Sequence, residues 1–196
     1  VVGVEWGMPI FTDLSKMATA IGALFEHLVR VKGYSCVQEW TLTNEPNGSW
    51  TQRGNTFEEY LRLHELVKEE FQTRGLAIRV LGSDDTSGLS WFENCVRSER
   101  YLDCADFFAS HLYARHTDRH LAPFFFDDRL ELLGIHAPDK PLVIAEFGFQ
   151  DHRSGTLENP LMETYSYALW TTAFVVKGLN RGIAGFCIWC LHEVYY

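Results

Sequence analysis

Two glutamates stand where chemistry would need them. In Trp40–Gly48, WTLTNEPNG, residues alternate as in a β-strand and then run into Asn44, Glu45 and Pro46. In Pro141–Phe149, PLVIAEFGF, an apolar run ends in a lone acid, Glu146. Carboxylates at two strand ends are suited to work as general acid, general base or nucleophile. The Asn44-Glu45-Pro46 run also reads simply as a polar turn, since proline ends a strand. Glu146 is harder to treat that way, because a carboxylate between Leu142–Ala145 and Phe147-Gly148-Phe149 is costly to bury unpaired. The stretch SHLYARH adds His111 and Tyr113, which alternate to one side of their strand and reach its end together. Trp189, near the end of the last apolar run, offers an aromatic face.

The elements that must position these groups follow from the hydrophobic pattern. VVGVEW reads as a strand, and Leu14, Ala18, Ile21, Phe25 and Leu28 then recur at helical spacing until Gly33 supplies a C-cap. CVQEWTLT is the next strand. Thr56 and Glu59 form a capping box ahead of a helix to about Arg74, closed by Gly75. AIRVLGS and ADFFASHLY are further strands, separated by a loop and a short helix that contain Trp91. A helix over Phe125–Leu133, the strand PLVIAEF, a helix near Met162–Leu179 and the strand GIAGFCIWC complete the order. Six strands alternate with helices, each strand apolar enough to be buried on both faces, which predicts a parallel β/α architecture. A doubly wound open sheet is the rival to a barrel, but no G-x-G-x-x-G or Walker-type loop follows any strand. In a barrel, catalytic groups sit at the C-terminal ends of the strands, where both glutamates fall.

Composition narrows the partners. The chain has 196 residues, 46% hydrophobic and 14% aromatic, enough to bury a substantial core, and reads as soluble and globular. Its net charge of −9, with no basic run, argues against a nucleic acid or an anionic membrane surface as partner and favours a neutral substrate. No apolar stretch approaches the roughly 20 residues of a membrane-spanning helix. No basic-then-apolar leader opens the chain, and no initiator Met either, so the compartment, secretion included, stays open. Five cysteines are too sparse for a disulfide framework.

TLTNEPN, SHLYARH, PLVIAEFGF and GFCIWCLHEVYY resemble the fourth-, sixth-, seventh- and eighth-strand signatures of the clan A retaining glycoside hydrolases, the barrel group of many cellulases, mannanases and β-glycosidases. The resemblance covers nearly the whole chain and implies an incomplete (β/α)8 TIM-type barrel, one partial catalytic domain over residues 1–196. By that resemblance Glu45 is the general acid/base and Glu146 the nucleophile. Asn44 would bond the sugar 2-hydroxyl, Tyr113 would orient Glu146, His111 would line the subsite and Trp189 would form its hydrophobic floor. The implied substrate is a β-glycoside or β-glycan, with no cofactor and no metal.

Cleavage with retention explains these residue types. One carboxylic acid protonates the leaving oxygen while a carboxylate about 5 to 5.5 Å away attacks the anomeric carbon. The two must differ in charge, with Glu45 protonated while Glu146 is ionised. Once the glycosyl-enzyme has formed, Glu45 becomes the base that activates water. A bond from Asn44 to the 2-hydroxyl that strengthens in the transition state lowers the barrier. Trp189 offers a flat face to a pyranose, and Trp50 and Trp91 offer either the same or loop packing.

Other motifs carry weaker signals. His111, His116 and His120 suggest a zinc-dependent hydrolase, without the H-E-x-x-H that would support one. Cys187 and Cys190 resemble a C-x-x-C motif, but residues three apart on a strand face opposite sides, so core packing is expected. His64 lies on the apolar stripe of its helix and reads as a satisfied or partly exposed histidine. Asn47-Gly48-Ser49 is a formal glycosylation sequon that overlaps the glutamate motif and is expected to go unused. The clan's second-strand arginine, which holds the nucleophile, has no counterpart, and VEWGMP lacks the histidine of many third strands; Glu5 and Trp6 there either line the site or pack. A full barrel takes about 250 residues. Two strand-helix units are therefore expected from a missing chain segment, or their place is taken by a second copy in a homodimer, and a catalytically silent carbohydrate-binding form is the alternative function.

Overall fold

A computed structural model describes residues 2–4, 13–48, 56–86, 88–150 and 159–189. Trp50, Glu5, Trp6 and Cys190 lie outside these residues. The chain divides into two compact units, Val1–Phe108 and Ala109–Tyr196.

In the first unit, β1 (Val2–Val4), β2 (Glu39–Thr43) and β3 (Arg79–Asp85) lie side by side in that order and run parallel. Trp40 pairs with Val2 on one side and Val80 on the other. Parallel neighbours need a long crossover, which α1 (Leu14–Glu26) and α2 (Phe57–Thr73) supply. The start of α1 is fixed by Asp13, whose carboxylate accepts from the Lys16 amide. A π-helical turn, His27–Val31, extends it to Gly33, which at φ +69° takes the left-handed turn that a side chain resists. The capping box of α2 forms as the sequence predicts: Thr56 Oγ1 accepts from the Glu59 amide, and Glu59 Oε2 accepts from the Thr56 amide. Phe25 of α1, Phe71 of α2 and Trp40 of β2 meet edge to face at 5.2 and 5.9 Å, all of them fully buried. Each such side chain contributes about 2 kcal/mol of apolar transfer. On the outside, Arg74 binds Glu26 of α1 and Glu70 of α2. Two shorter helices follow β3, α3 (Ser90–Arg97) and α4 (Glu99–Cys104).

The second unit continues β4 (Phe107–Arg115) into α5 (Phe125–His136), β5 (Leu142–Gln150), α6 (Tyr165–Asn180) and β6 (Gly185–Ile188), and its strands are ordered β4-β5-β6. β5 and β6 are parallel. Phe147 of β5 stacks on Phe174 of α6 at 4.8 Å, with Phe126 of α5 equally close to Phe174 and Phe186 of β6 within 6 Å of both Phe147 and Phe174. Gly178 on α6 lets the helix settle directly on the Phe186 ring. The expected helix start at Met162 is a short 3-10 turn, Pro160–Glu163, and α6 begins after it with Thr164 as N-cap.

Candidate active site

The first unit carries Glu45. β2 ends at Thr43, Asn44 bends the chain, and Glu45 turns left-handed at φ +49°. Proline at position 46 disfavours the right-handed helical conformation for the residue before it, so the backbone leaves the strand direction here. Among the described residues, Glu45, Ser83 and Asp84 are the non-glycine positions at positive φ, the last two at +58° and +46°. All three lie at the ends of β2 and β3. Such conformations cost about 1 kcal/mol or more each and persist where surrounding bonds over-determine them. Those bonds are present: the Glu45 amide donates to the Asp84 carbonyl at 3.1 Å, and the Gly48 amide donates to the Glu45 carbonyl at 2.8 Å. The Asn47 side chain accepts from the Thr86 amide and donates to the Thr86 carbonyl, clipping the two strand ends together. That double bond to the backbone occupies the amide of the formal sequon. Glu45 is 5% exposed, a carboxyl set in a built turn.

The second unit carries Glu146. Phe147 and Phe149 point from β5 toward α6, so Glu146 and Gly148 take the opposite face. There the Tyr113 hydroxyl donates to Glu146 Oε1, and His111 Nδ1 lies 3.2 Å from Glu146 Oε2. His111 and Tyr113 share a face of β4 through their two-residue spacing, as the sequence implies. Both carboxylate oxygens thus have a partner. A Cβ at Gly148 would come within 3.2 Å of Tyr113 Cε1 and 3.1 Å of the Trp189 carbonyl, so this glycine makes room for the ring that holds Glu146.

Glu146 does not end its strand. β5 runs on to Gln150, and its register with β6 slips between Ile144 and Phe147, where three steps on β5 face two on β6. A bulge at that point re-aims a side chain without ending the strand, and Gly148 mimics a strand end in the sequence. Trp189 follows β6 with its amide on the Phe147 carbonyl and is 42% exposed, so its ring is available.

Trp91 lies within α3 and not in a loop. Its ring meets Phe57 and Tyr60 edge-on at 5.9 and 5.2 Å, and its Nε1 is buried without a partner among the described residues. Packing accounts for those contacts. His116 stacks on Trp170, which also lies under the Arg119 guanidinium at 4.7 Å, while His120 is exposed and His111 faces Glu146. Cys187 is exposed and not in the core as expected, because among the described residues β6 pairs with β5 alone. His64 is fully buried, its Nδ1 2.8 Å from the Tyr60 carbonyl, and burial lowers its pKa from 6.5 to about 4.

The fold has clear counterparts among solved structures. A GH39 β-xylosidase from Caulobacter crescentus matches 91% of this chain with a TM-score of 0.73 at 18% identity. A family 44 xyloglucanase from Paenibacillus polymyxa matches 89% at a TM-score of 0.65 and 12% identity. A bacterial orthologue of human α-L-iduronidase matches 88% at a TM-score of 0.70 and 11% identity. The fold is a parallel β/α fold like that of these glycoside hydrolases. This chain spans 39%, 47% and 33% of those three chains, so it corresponds to part of each of them. No protein-family model and no curated protein matches the sequence.

Proposed function

We propose that the protein carrying this chain is a retaining glycoside hydrolase acting on β-linked glycosides. The observation that supports it best is the Glu146 carboxylate, held at one oxygen by the Tyr113 hydroxyl and faced at the other by His111. A carboxylate held in this way is oriented for attack. The fold shared with glycoside hydrolases and the built turn at Glu45 point the same way.

In this mechanism Glu45 gives its proton to the glycosidic oxygen as the bond to the anomeric carbon breaks, while Glu146 forms a new bond to that carbon. The aglycone leaves as an alcohol, and a glycosyl ester on Glu146 remains. Glu45, now ionised, takes a proton from water as the water oxygen attacks the anomeric carbon and displaces Glu146. Both carboxyls return to their starting states. Asn44, just before Glu45, binds the sugar 2-hydroxyl, and the exposed Trp189 ring supplies an apolar face. The structurally similar enzymes are a β-xylosidase, a xyloglucanase and an orthologue of α-L-iduronidase, and a screen of aryl glycosides identifies the sugar.

The test is a comparison of two variants on aryl glycosides with good and poor leaving groups. Glu146→Gln removes turnover of both. Glu45→Gln lowers kcat/KM on the poor leaving group by about 10²–10⁴-fold, the usual worth of a general acid, and spares kcat/KM on the good one, while hydrolysis of the glycosyl ester slows for both. Equal losses in kcat/KM on both substrates for Glu45→Gln contradict the acid role.

A further inference from the structure

Glu45 hangs on the end of β3 through its amide, which donates to Asp84. What fixes the end of β3 is a buried polar network from α2 and α4, four residues without solvent exposure. The Ser83 amide donates to the Tyr101 hydroxyl at 2.9 Å, and the Tyr60 hydroxyl donates to the Ser83 carbonyl at 3.0 Å. Tyr101 Oη lies 3.2 Å from Tyr60 Oη and 3.3 Å from His64 Nε2. Tyr60, His64, Ser83 and Tyr101 are each 0% exposed.

The protons in this network are assigned by elimination. His64 Nδ1 faces a carbonyl, which only accepts, so Nδ1 carries the hydrogen. The ring is neutral, since burial lowers its pKa to about 4, and Nε2 is therefore a bare acceptor. The Tyr101 hydroxyl has two acceptors within reach of its one proton, the Tyr60 oxygen at 3.2 Å and His64 Nε2 at 3.3 Å, and its own oxygen accepts from the Ser83 amide. Tyr60 spends its proton on the Ser83 carbonyl. Burial pushes both phenols well above their ordinary pKa, so both stay protonated. Each backbone group of Ser83, held at φ +58°, is thus gripped by one tyrosine. Gly82 is part of the same device, because a Cβ there would lie 2.9 Å from Ala105 Cβ and 3.1 Å from Tyr101 Cε1.

We infer that Tyr60, Tyr101 and His64 form a positioning network for Glu45, acting through the left-handed Ser83-Asp84 turn. The inference rests on the acid/base role proposed for Glu45. A buried histidine and two tyrosines could serve the core with apolar atoms alone. Their polar atoms converge instead on the one strained turn that binds the Glu45 amide, and strain held in this way marks a geometry that the site needs. These residues touch no substrate. Their effect is to keep the carboxyl of Glu45 in line with the leaving oxygen, where a displacement near 1 Å costs on the order of 100-fold.

The test is Tyr101→Phe in the intact protein that contains this sequence, with Tyr60→Phe as a second variant that removes the bond to the Ser83 carbonyl and the Tyr60 oxygen beside Tyr101 but leaves the bond from the Ser83 amide to Tyr101. Each should lower kcat/KM about 10-fold on a poor leaving group and less than about 2-fold on a 2,4-dinitrophenyl glycoside, while kcat on the latter falls with the slower hydrolysis of the glycosyl ester that Glu45 also serves. Amide hydrogen exchange at Glu45 should quicken in both variants. If Glu45→Gln separates the two leaving groups while both tyrosine variants slow them equally or not at all, the network is structural and the inference is overturned. Should Glu45→Gln itself fail to separate them, the acid role falls and the inference falls with it. If Tyr101→Phe does not fold, Tyr60→Phe and its exchange rate at Glu45 decide the matter alone.

Discussion

Tyr113 of β4 donates its phenolic proton to Glu146 of β5, a bond made between two residues 33 apart in sequence. The bond depends on three local features. His111 and Tyr113 share a strand face, a bulge turns Glu146 toward it, and Gly148 leaves space for the ring.

Removing that hydroxyl therefore has a defined effect. Tyr113→Phe should lower kcat by about 10-fold or more on good and poor leaving groups alike, because the nucleophile and not the acid loses its orientation. Steady-state kinetics on the two aryl glycosides checks it. A loss confined to poor leaving groups would assign Tyr113 to the acid instead.

Gly148→Ala tests the same contact from the other side. Its Cβ would press on Tyr113, on the Trp189 carbonyl and on the Tyr167 hydroxyl, at 3.1 to 3.3 Å. Overpacking of this kind costs about 1–3 kcal/mol. Thermal unfolding should show the loss, and the kinetics should resemble those of Tyr113→Phe.

The sequence made much of this legible. The alternation of strands and helices, the capping box at Thr56 and the shared face of His111 and Tyr113 are local patterns, set by periodicities of two and 3.6 residues, and each appears in the structure. What stayed hidden was not local. Nothing in the spacing of Tyr60, His64 and Tyr101 tells that their polar atoms meet at Ser83, since on a helix they read as part of an apolar stripe. The extension of β5 past Glu146 was masked by Gly148, and the exposure of Cys187 depends on which strands flank β6.

His64 gives the chain a dependence on pH. Its folded pKa of about 4 lies below the 6.5 of an exposed histidine, so the unfolded chain binds more protons between those values. Stability is therefore full above pH 6.5 and falls as the pH drops toward 4, by about 3 kcal/mol in all. Urea unfolding between pH 4 and 7 should show this slope. His64→Gln should flatten it, and an unchanged slope in that variant would place the titration elsewhere.

Asn47→Ala removes both bonds to Thr86 that join the ends of β2 and β3. The loss of a part-buried pair that leaves backbone groups unsatisfied costs about 1–3 kcal/mol. Denaturant unfolding measures it. A change of less than a few tenths would mean that Glu45 and its amide bond hold the strand ends without Asn47.

In the proposed mechanism Glu146 forms a covalent bond to the sugar, and the anomer released first reports whether it does. Proton NMR of the reaction on an aryl β-glycoside, read within the first turnovers before mutarotation, should show the β-hemiacetal appearing ahead of the α-form. The α-hemiacetal appearing first would mean a single displacement by water and would contradict a nucleophilic Glu146.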